Sequence, residues 1–400
     1  MNTSATTSTS STAHSWLAVI AVGFATFSVV TTEMLPVGLL TTIAASLDTS
    51  TGTAGLMISL PALLAALFAP VVIIAAGGIE RRTILCALLG LLMLANIASA
   101  LAPDIVWMLA ARIVVGLCMG GIWAIAGGLA PRLVRRDAIG LATSIIFGGV
   151  AAASVLGVPL GALIGDFAGW RWAFGAMAAL NAVVLVLHLA FIPALTVERS
   201  ASVRLFLQQF GNRRLQYGLG LTLMLVAGHF ATFTYVRPLL MSVSGFEAQW
   251  IGALLFGYGI AGIAGNFLAG IIAARRTAQT LMAIALGLLL TPALFLSIGG
   301  SHLGGGLVLL AWGLAYGGVS VSLMTWIMKA APRGLEIATA LYVSVFNIAI
   351  AAGSWTGGQI VDSLGLRENL YLLGGSATIA LLLALAMSMS KAPQEIADSH

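Results

Sequence analysis

Charge is what this chain of 400 residues lacks, since only 8% of them are Asp, Glu, Lys or Arg. A soluble domain carries roughly 25%, so a water-facing surface could not be covered. Soluble enzymes and nucleic-acid binders are excluded at this step. Cysteine is nearly absent too: Cys86 and Cys118 both sit inside apolar runs, with no CxxC pair and no metal spacing. Zinc frameworks and disulfide scaffolds are therefore excluded, and both thiols read as buried packing residues. A phosphate-cradling GxxxxGK[ST] loop is also missing, which argues against direct ATP coupling, and nothing in the sequence calls for a cofactor. What is present is apolar sequence, 60% of the chain, in long unbroken runs. At roughly 20 residues per membrane crossing this suffices for about 12 spans. Outer-membrane barrels need strands of about 10 residues with alternating polarity, and these runs do not alternate. The expected class is all-α, a polytopic membrane protein of twelve transmembrane helices.

Polar punctuation divides the runs into two series of six. Residues 1–15 read as a Ser/Thr-rich disordered tail without the basic start of a signal peptide. A six-helix bundle is expected over 16–194, a linker over 195–214, a second bundle over 215–390 and a tail over 391–400. The net charge of +5 is explained by placement, without a nucleic-acid partner. One set of loops holds fourteen basic residues: Arg81, Arg82, Arg132, Arg135, Arg136, Arg199, Arg204, Arg213, Arg214, Arg275, Arg276, Lys329, Arg333 and Lys391. The other set holds Arg171 and Arg367 beside Asp48, Asp104, Asp166, Glu247, Asp362 and Glu368. Because basic loops stay in the cytoplasm, the linker and both termini are expected there, in a bacterial inner membrane.

An internal repeat links the halves. Gly157, Gly161, Asp166, Gly169 and Arg171 recur 196 residues on as Gly353, Gly357, Asp362, Gly365 and Arg367. Parallel six-span repeats with a substrate site at their interface are one known transporter architecture.

Several local motifs carry a family resemblance. The turn Gly77-Gly78-Ile79-Glu80-Arg81-Arg82 resembles, in shortened form, the signature loop between spans two and three of the major facilitator superfamily. Arg112-Ile-Val-Val-Gly116 resembles the R-x-x-x-G motif of its drug:proton antiporters, and Gly157-Val-Pro159-Leu-Gly161 the Gly-Pro motif of its exporters. Thr32-Glu33-Met34-Leu35-Pro36-Val37-Gly38-Leu39-Leu40 resembles a first-span motif of sugar and nucleoside exporters. Gly120-Gly121-Ile122-Trp123-Ala124 and Phe233-Thr234-Tyr235-Val236-Arg237-Pro238 are similar to purine ribonucleoside efflux permeases, whereas Gly228-His229-Phe230 is more like arabinose-type sugar efflux permeases. The resemblance implies two six-helix halves and proton-driven export of a small polar metabolite. Purine ribonucleosides lead as substrate, with sugars or amphiphilic drugs as alternatives. It also implies gating by Gly77, Glu80, Arg81, Arg82, Gly157, Pro159 and Gly161. The partners are the solute, protons and the bilayer, and the chain is expected to act as a monomer.

Glu33 reads as the only acid inside a span. A buried carboxylate costs several kcal/mol; desolvation favours its neutral form and a nearby cation its charged form. Such a group can exchange protons, unless it snorkels to the surface. Arg112, about 10 Å deep at ~1.5 Å per residue, is the expected counter-charge, in a coupling role or as a static ion pair. His229 and Arg237 lie eight residues apart on span seven, roughly one face. His229 stands 196 residues from Glu33, although the flanking text does not match. Trp123, Trp312 and Tyr316 can stack on a base or sugar or serve as packing. Asn266 and Asn347 can bind solute hydroxyls or join helices. The many glycines suggest seams along which the halves rock, and Pro159 a bend in span five.

Overall fold

The computed structural model describes residues 6–75, 79–126, 129–135, 138–194, 211–331 and 335–389. Spans one to four are Thr6–Ser46, Thr51–Ala75, Arg81–Ala100 and Ile105–Ala126. Span five joins Ile139–Ala152 to Val158–Ala168 through a π-helical turn at Ala153–Gly157, and span six is Trp170–Phe191. That wide turn absorbs the donor missing at Pro159, the usual use of a π-bulge. Span seven consists of Arg213–Phe233 and Val236–Ser242, bent by 50°. Pro238 supplies no N–H to the Thr234 carbonyl, which places the break there. Ala248–Ile298 is 51 residues, about 77 Å at 1.5 Å per residue, far beyond a ~30 Å hydrocarbon core. Its backbone leaves the helical region at Arg276 (φ −133, ψ 54), so it is spans eight and nine folded at a turn. Lys329 Nζ caps that turn, donating to the Ala274 carbonyl at 2.8 Å and Thr277 Oγ1 at 2.9 Å. Span ten is His302–Gly317 with Val319–Ala330; spans eleven and twelve are Leu335–Ser363 and Leu366–Met389. The described residues thus form the twelve spans expected.

One boundary differs from expectation. The first helix reaches back to Thr6, into the segment read as a disordered tail. Gly77, most of the linker and the tail 391–400 lie outside the described residues.

Contacts reproduce the repeat. A Cβ on Gly157 or Gly161 would run into the side chains of Thr31 and Leu35 on span one. A Cβ on Gly353 or Gly357 would run into the backbone of Ala227 and Ala231 on span seven. Every member of the second set lies 196 residues after its counterpart. The far-side turns into spans six and twelve match as well, with Gly169 at φ 93 and Gly365 at φ 121, conformations that favour glycine. These seams run inside each half, not between the halves as expected. Where the halves meet, Gly52 instead lies against the backbone of Gly358, and Gly55 and Gly358 lie against the Tyr235 hydroxyl.

Candidate functional site

The seam contacts settle one relation that the sequence left open. Positions 31 and 35 correspond to 227 and 231, so Glu33 and His229 occupy equivalent places on spans one and seven. Both are buried, at 5% and 1% exposure.

His229 is the hub of an aromatic cluster. Its ring stacks on Tyr316 with centroids 3.3 Å apart and on Phe233 at 4.8 Å. Trp312 meets it edge-on at 5.4 Å, and Tyr258 stacks on Phe233 at 4.7 Å. Spans seven, eight and ten supply these rings through two i,i+4 pairs, His229/Phe233 and Trp312/Tyr316, which one helical face presents together. Trp312 and Tyr316 are thus found where stacking was anticipated, while Phe230, Phe233 and Tyr258 join them unanticipated. The signal for Phe233 was its spacing from His229; Tyr258 had none.

Hydrogen-bonding groups in this cluster are left over. Glu33 Oε1, His229 Nδ1, Tyr258 Oη, Trp312 Nε1 and Tyr316 Oη are buried without a protein partner. An unsatisfied buried polar atom costs about 1–3 kcal/mol, and native structures keep few. Glu33 is buried on span one, and its neighbour Met34 packs in the same core as Phe233, Trp312, Tyr258 and Tyr316, which brings this stretch of span one to the aromatic cluster. The arrangement offers flat apolar faces for stacking and a rim of donors and acceptors for a solute's polar edge.

Arg112 does not serve as the counter-charge expected for Glu33. No ion pair joins them; Arg112 Nη1 donates to the Thr32 carbonyl at 2.8 Å, and its guanidinium lies 4.7 Å over the Phe174 ring. Pro36 explains the difference. Lacking an N–H, it leaves the carbonyl four residues earlier without its helical partner, and the buried guanidinium fills the gap. Thr32 also takes Asn96 Nδ2 on its hydroxyl at 3.3 Å.

Arg237 likewise stands apart from the cluster. The bend at Thr234 turns it off the His229 face and across to the other half. There Nη2 donates to Asp166 Oδ1 at 2.7 Å, Nη1 to the Gly38 carbonyl at 2.6 Å and Nε to Thr41 Oγ1 at 2.9 Å. Asp166, reckoned among the rim acids, is half-buried, its side chain 15% exposed. Trp123 is half-buried and packs in the linker-side core of the first half. Asn266 is exposed. Asn347 Nδ2 bonds its own helix at the Val343 carbonyl, 2.9 Å, and so joins no helices. In the signature turn, Arg82 Nη2 donates to the Leu189 carbonyl of the same half at 2.7 Å, and Glu80 accepts from Thr83. Glu80 Oε1 and Arg81 Nη1 are buried without a partner. Pro159 and Gly161 lie buried against span one and the opposite half.

Two six-span repeats enclosing a central site of this kind define a multi-pass membrane transporter, not an enzyme. The sequence family described as Major Facilitator Superfamily matches residues 22–354, and the chain belongs to that family. Among curated relatives it is 31% identical over 371 residues to the "Purine ribonucleoside efflux pump NepI" of Salmonella paratyphi A, covering 93% of this chain and 94% of that one. It is 32% identical over 387 residues, 95% of each chain, to the "Transcription regulatory protein OpdE" of Pseudomonas aeruginosa. Among solved structures, the nucleoside transporter NupG aligns with a TM-score of 0.75 at 14% identity, covering 93% of this chain and 99% of that one. A bacterial homologue of the lysosomal transporter Spinster, inward-facing and occupied, aligns with a TM-score of 0.74 at 17% identity, covering 93% and 96%.

Proposed function

We propose that this protein exports purine ribonucleosides from the bacterial cytoplasm in exchange for protons. The observation that carries the reading is the aromatic cluster of Phe233, Tyr258, Trp312 and Tyr316 around His229, together with the buried carboxyl of Glu33. Base–aromatic stacking contributes about 1–3 kcal/mol per base. The unpartnered Tyr, Trp and His atoms suit the nitrogen-rich edge of a purine. A sugar would use the rim of polar atoms but waste the flat faces. Relatives named as purine ribonucleoside efflux pumps at about the same length support the same choice.

Glu33 is the proton carrier in this scheme. On span one, it holds a proton or gives it up as the solute arrives, and His229 occupies the matching place in the second half. The loop asymmetry of fourteen Lys and Arg against two supports an inner-membrane protein with its termini and linker in the cytoplasm. We take the six-helix units to be 16–194 and 215–390, acting as one monomer. The test is uptake into inside-out vesicles energised by an acid interior, with labelled purine ribonucleosides, pyrimidine ribonucleosides, arabinose and cationic dyes in parallel. Gradient-dependent uptake confined to the purine ribonucleosides is the expected result. Uptake of the sugar or the dyes alone would refute the substrate assignment.

A further inference from the structure

On the side away from the linker the halves are bridged by two carboxylates that the internal repeat relates to each other. Asp166 ends span five and Asp362 ends span eleven, 196 residues apart, and each reaches the opposite half. Asp166 Oδ1 accepts from Arg237 of span seven at 2.7 Å. Asp362 Oδ1 accepts from the backbone N–H of Gly52 at the start of span two at 2.8 Å, and Oδ2 from the Ser50 hydroxyl. Arg237 is itself the repeat counterpart of Thr41, and the two touch: Nε donates to Thr41 Oγ1 across a separation of 196 residues. Equivalent residues in contact mark the pseudo-twofold axis between the halves. On that axis a nearly fully buried guanidinium holds three acceptors of the first half: Gly38, Thr41 and Asp166.

We propose that Arg237 is the positioning residue of a far-side latch, held by Asp166 and seconded by Asp362, which must be undone before solute can leave on that side. Three features separate it from an incidental ion pair. Its partners lie on spans one and five, so no single helix can move away without breaking it. Asp166 Oδ2 is buried and has no partner of its own, so the carboxylate depends on Arg237 alone. Tyr235, two residues earlier, donates to the Ser354 carbonyl at 2.8 Å and lies against Gly55 and Gly358 at the meeting of spans two and eleven. The bend in span seven thus aims one side chain at each inter-half seam. Planarity matters here, because a guanidinium spreads donors over several acceptors while an ammonium is a point charge. The inference concerns motion of the halves and does not depend on which solute is carried.

Full-length protein in lipid nanodiscs, with Cys86→Ser and Cys118→Ser, can carry spin labels at Ala45→Cys and Leu303→Cys. Both sites are exposed on the far side, one in each half. The distance distribution between them needs no substrate. Arg237→Ala should raise the far-side-open population about tenfold, within the range of coupled conformational equilibria. Asp166→Asn, which keeps the shape of the side chain, should raise it in the same direction, and Arg237→Lys should fall between wild type and Arg237→Ala. If Arg237→Ala does not fold, Asp166→Asn decides alone. A wild-type distribution in Asp166→Asn, or equal opening in Arg237→Lys and Arg237→Ala, would overturn the latch.

Discussion

Arg112 Nη1 donates to the Thr32 carbonyl at 2.8 Å, the acceptor that Pro36 strands four residues further along span one. A buried arginine in a membrane helix invites a search for an anionic partner, and Glu33 is the next residue. The guanidinium turns instead to a backbone defect. Its hydrogen bond then ties span four to span one at the residue before Glu33. Glu33 Oε1 and the Nε and Nη2 of Arg112 are each buried without a partner, so the hydrogen bond the guanidinium does make to span one goes to backbone.

This relation predicts a specific double-mutant result. Arg112→Ala removes the donor and leaves a buried carbonyl unsatisfied, at about 1–3 kcal/mol. Pro36→Ala restores an N–H to the same carbonyl. In the Pro36→Ala background the penalty of Arg112→Ala should shrink by about that amount. Thermal unfolding of the four proteins in detergent measures the coupling, and strictly additive penalties would show that the carbonyl is not what Arg112 satisfies.

Glu33→Gln keeps the size of the side chain and fixes it neutral. If Glu33 carries the proton, the variant should still bind solute and exchange it down a gradient, while accumulation against a gradient is lost. The reading is solute-induced proton release in proteoliposomes between about pH 5.5 and 8.5. Undiminished proton release in Glu33→Gln would transfer the role to His229, its repeat counterpart.

Truncation of the cluster should act on affinity. Tyr316→Ala and Trp312→Ala each remove a stacking face worth about 1–3 kcal/mol, so the KM for a purine ribonucleoside should rise roughly 10- to 100-fold. Trp123→Phe, altering a side chain packed in the linker-side core, should leave KM near wild type. Equal effects of Trp123→Phe and Trp312→Ala would detach the cluster from substrate recognition.

Much of the architecture was legible because membrane burial writes itself into composition. Twelve apolar runs, the 196-residue repeat and the asymmetry of Lys and Arg need no tertiary information. The break in span seven was less visible, although Pro238 stands four residues after Thr234. That break separated Arg237 from His229 and overturned their assignment to one face. Arg112 was misread because charge draws attention and a missing backbone N–H does not. Tyr258 was missed because its place beside Phe233 is set by how span eight packs on span seven, which spacing along one helix cannot report. Asn347 shows the converse: a polar residue in a span can turn its amide to a carbonyl of its own helix.

The glycine seams allow a prediction that separates equivalent positions by what they touch. Gly161 and Gly357 are repeat counterparts, yet an added methyl meets different obstacles. At Gly161 it would strike a terminal carbon of the Leu35 side chain, a group that can change rotamer. At Gly357 it would strike the backbone of Ala231, whose carbonyl also accepts from Asn369 Nδ2 at 2.7 Å. Backbone cannot yield without moving span seven, and overpacking of this kind costs about 1–3 kcal/mol. Gly357→Ala should therefore lower the unfolding midpoint in detergent clearly more than Gly161→Ala. Because span seven carries His229 above the seam and Arg237 beyond it, Gly357→Ala should also slow transport in proteoliposomes at matched protein amounts. Equal stability losses at the two positions would mean that close helix approach, rather than the identity of the obstructing atom, sets the cost of filling the seam.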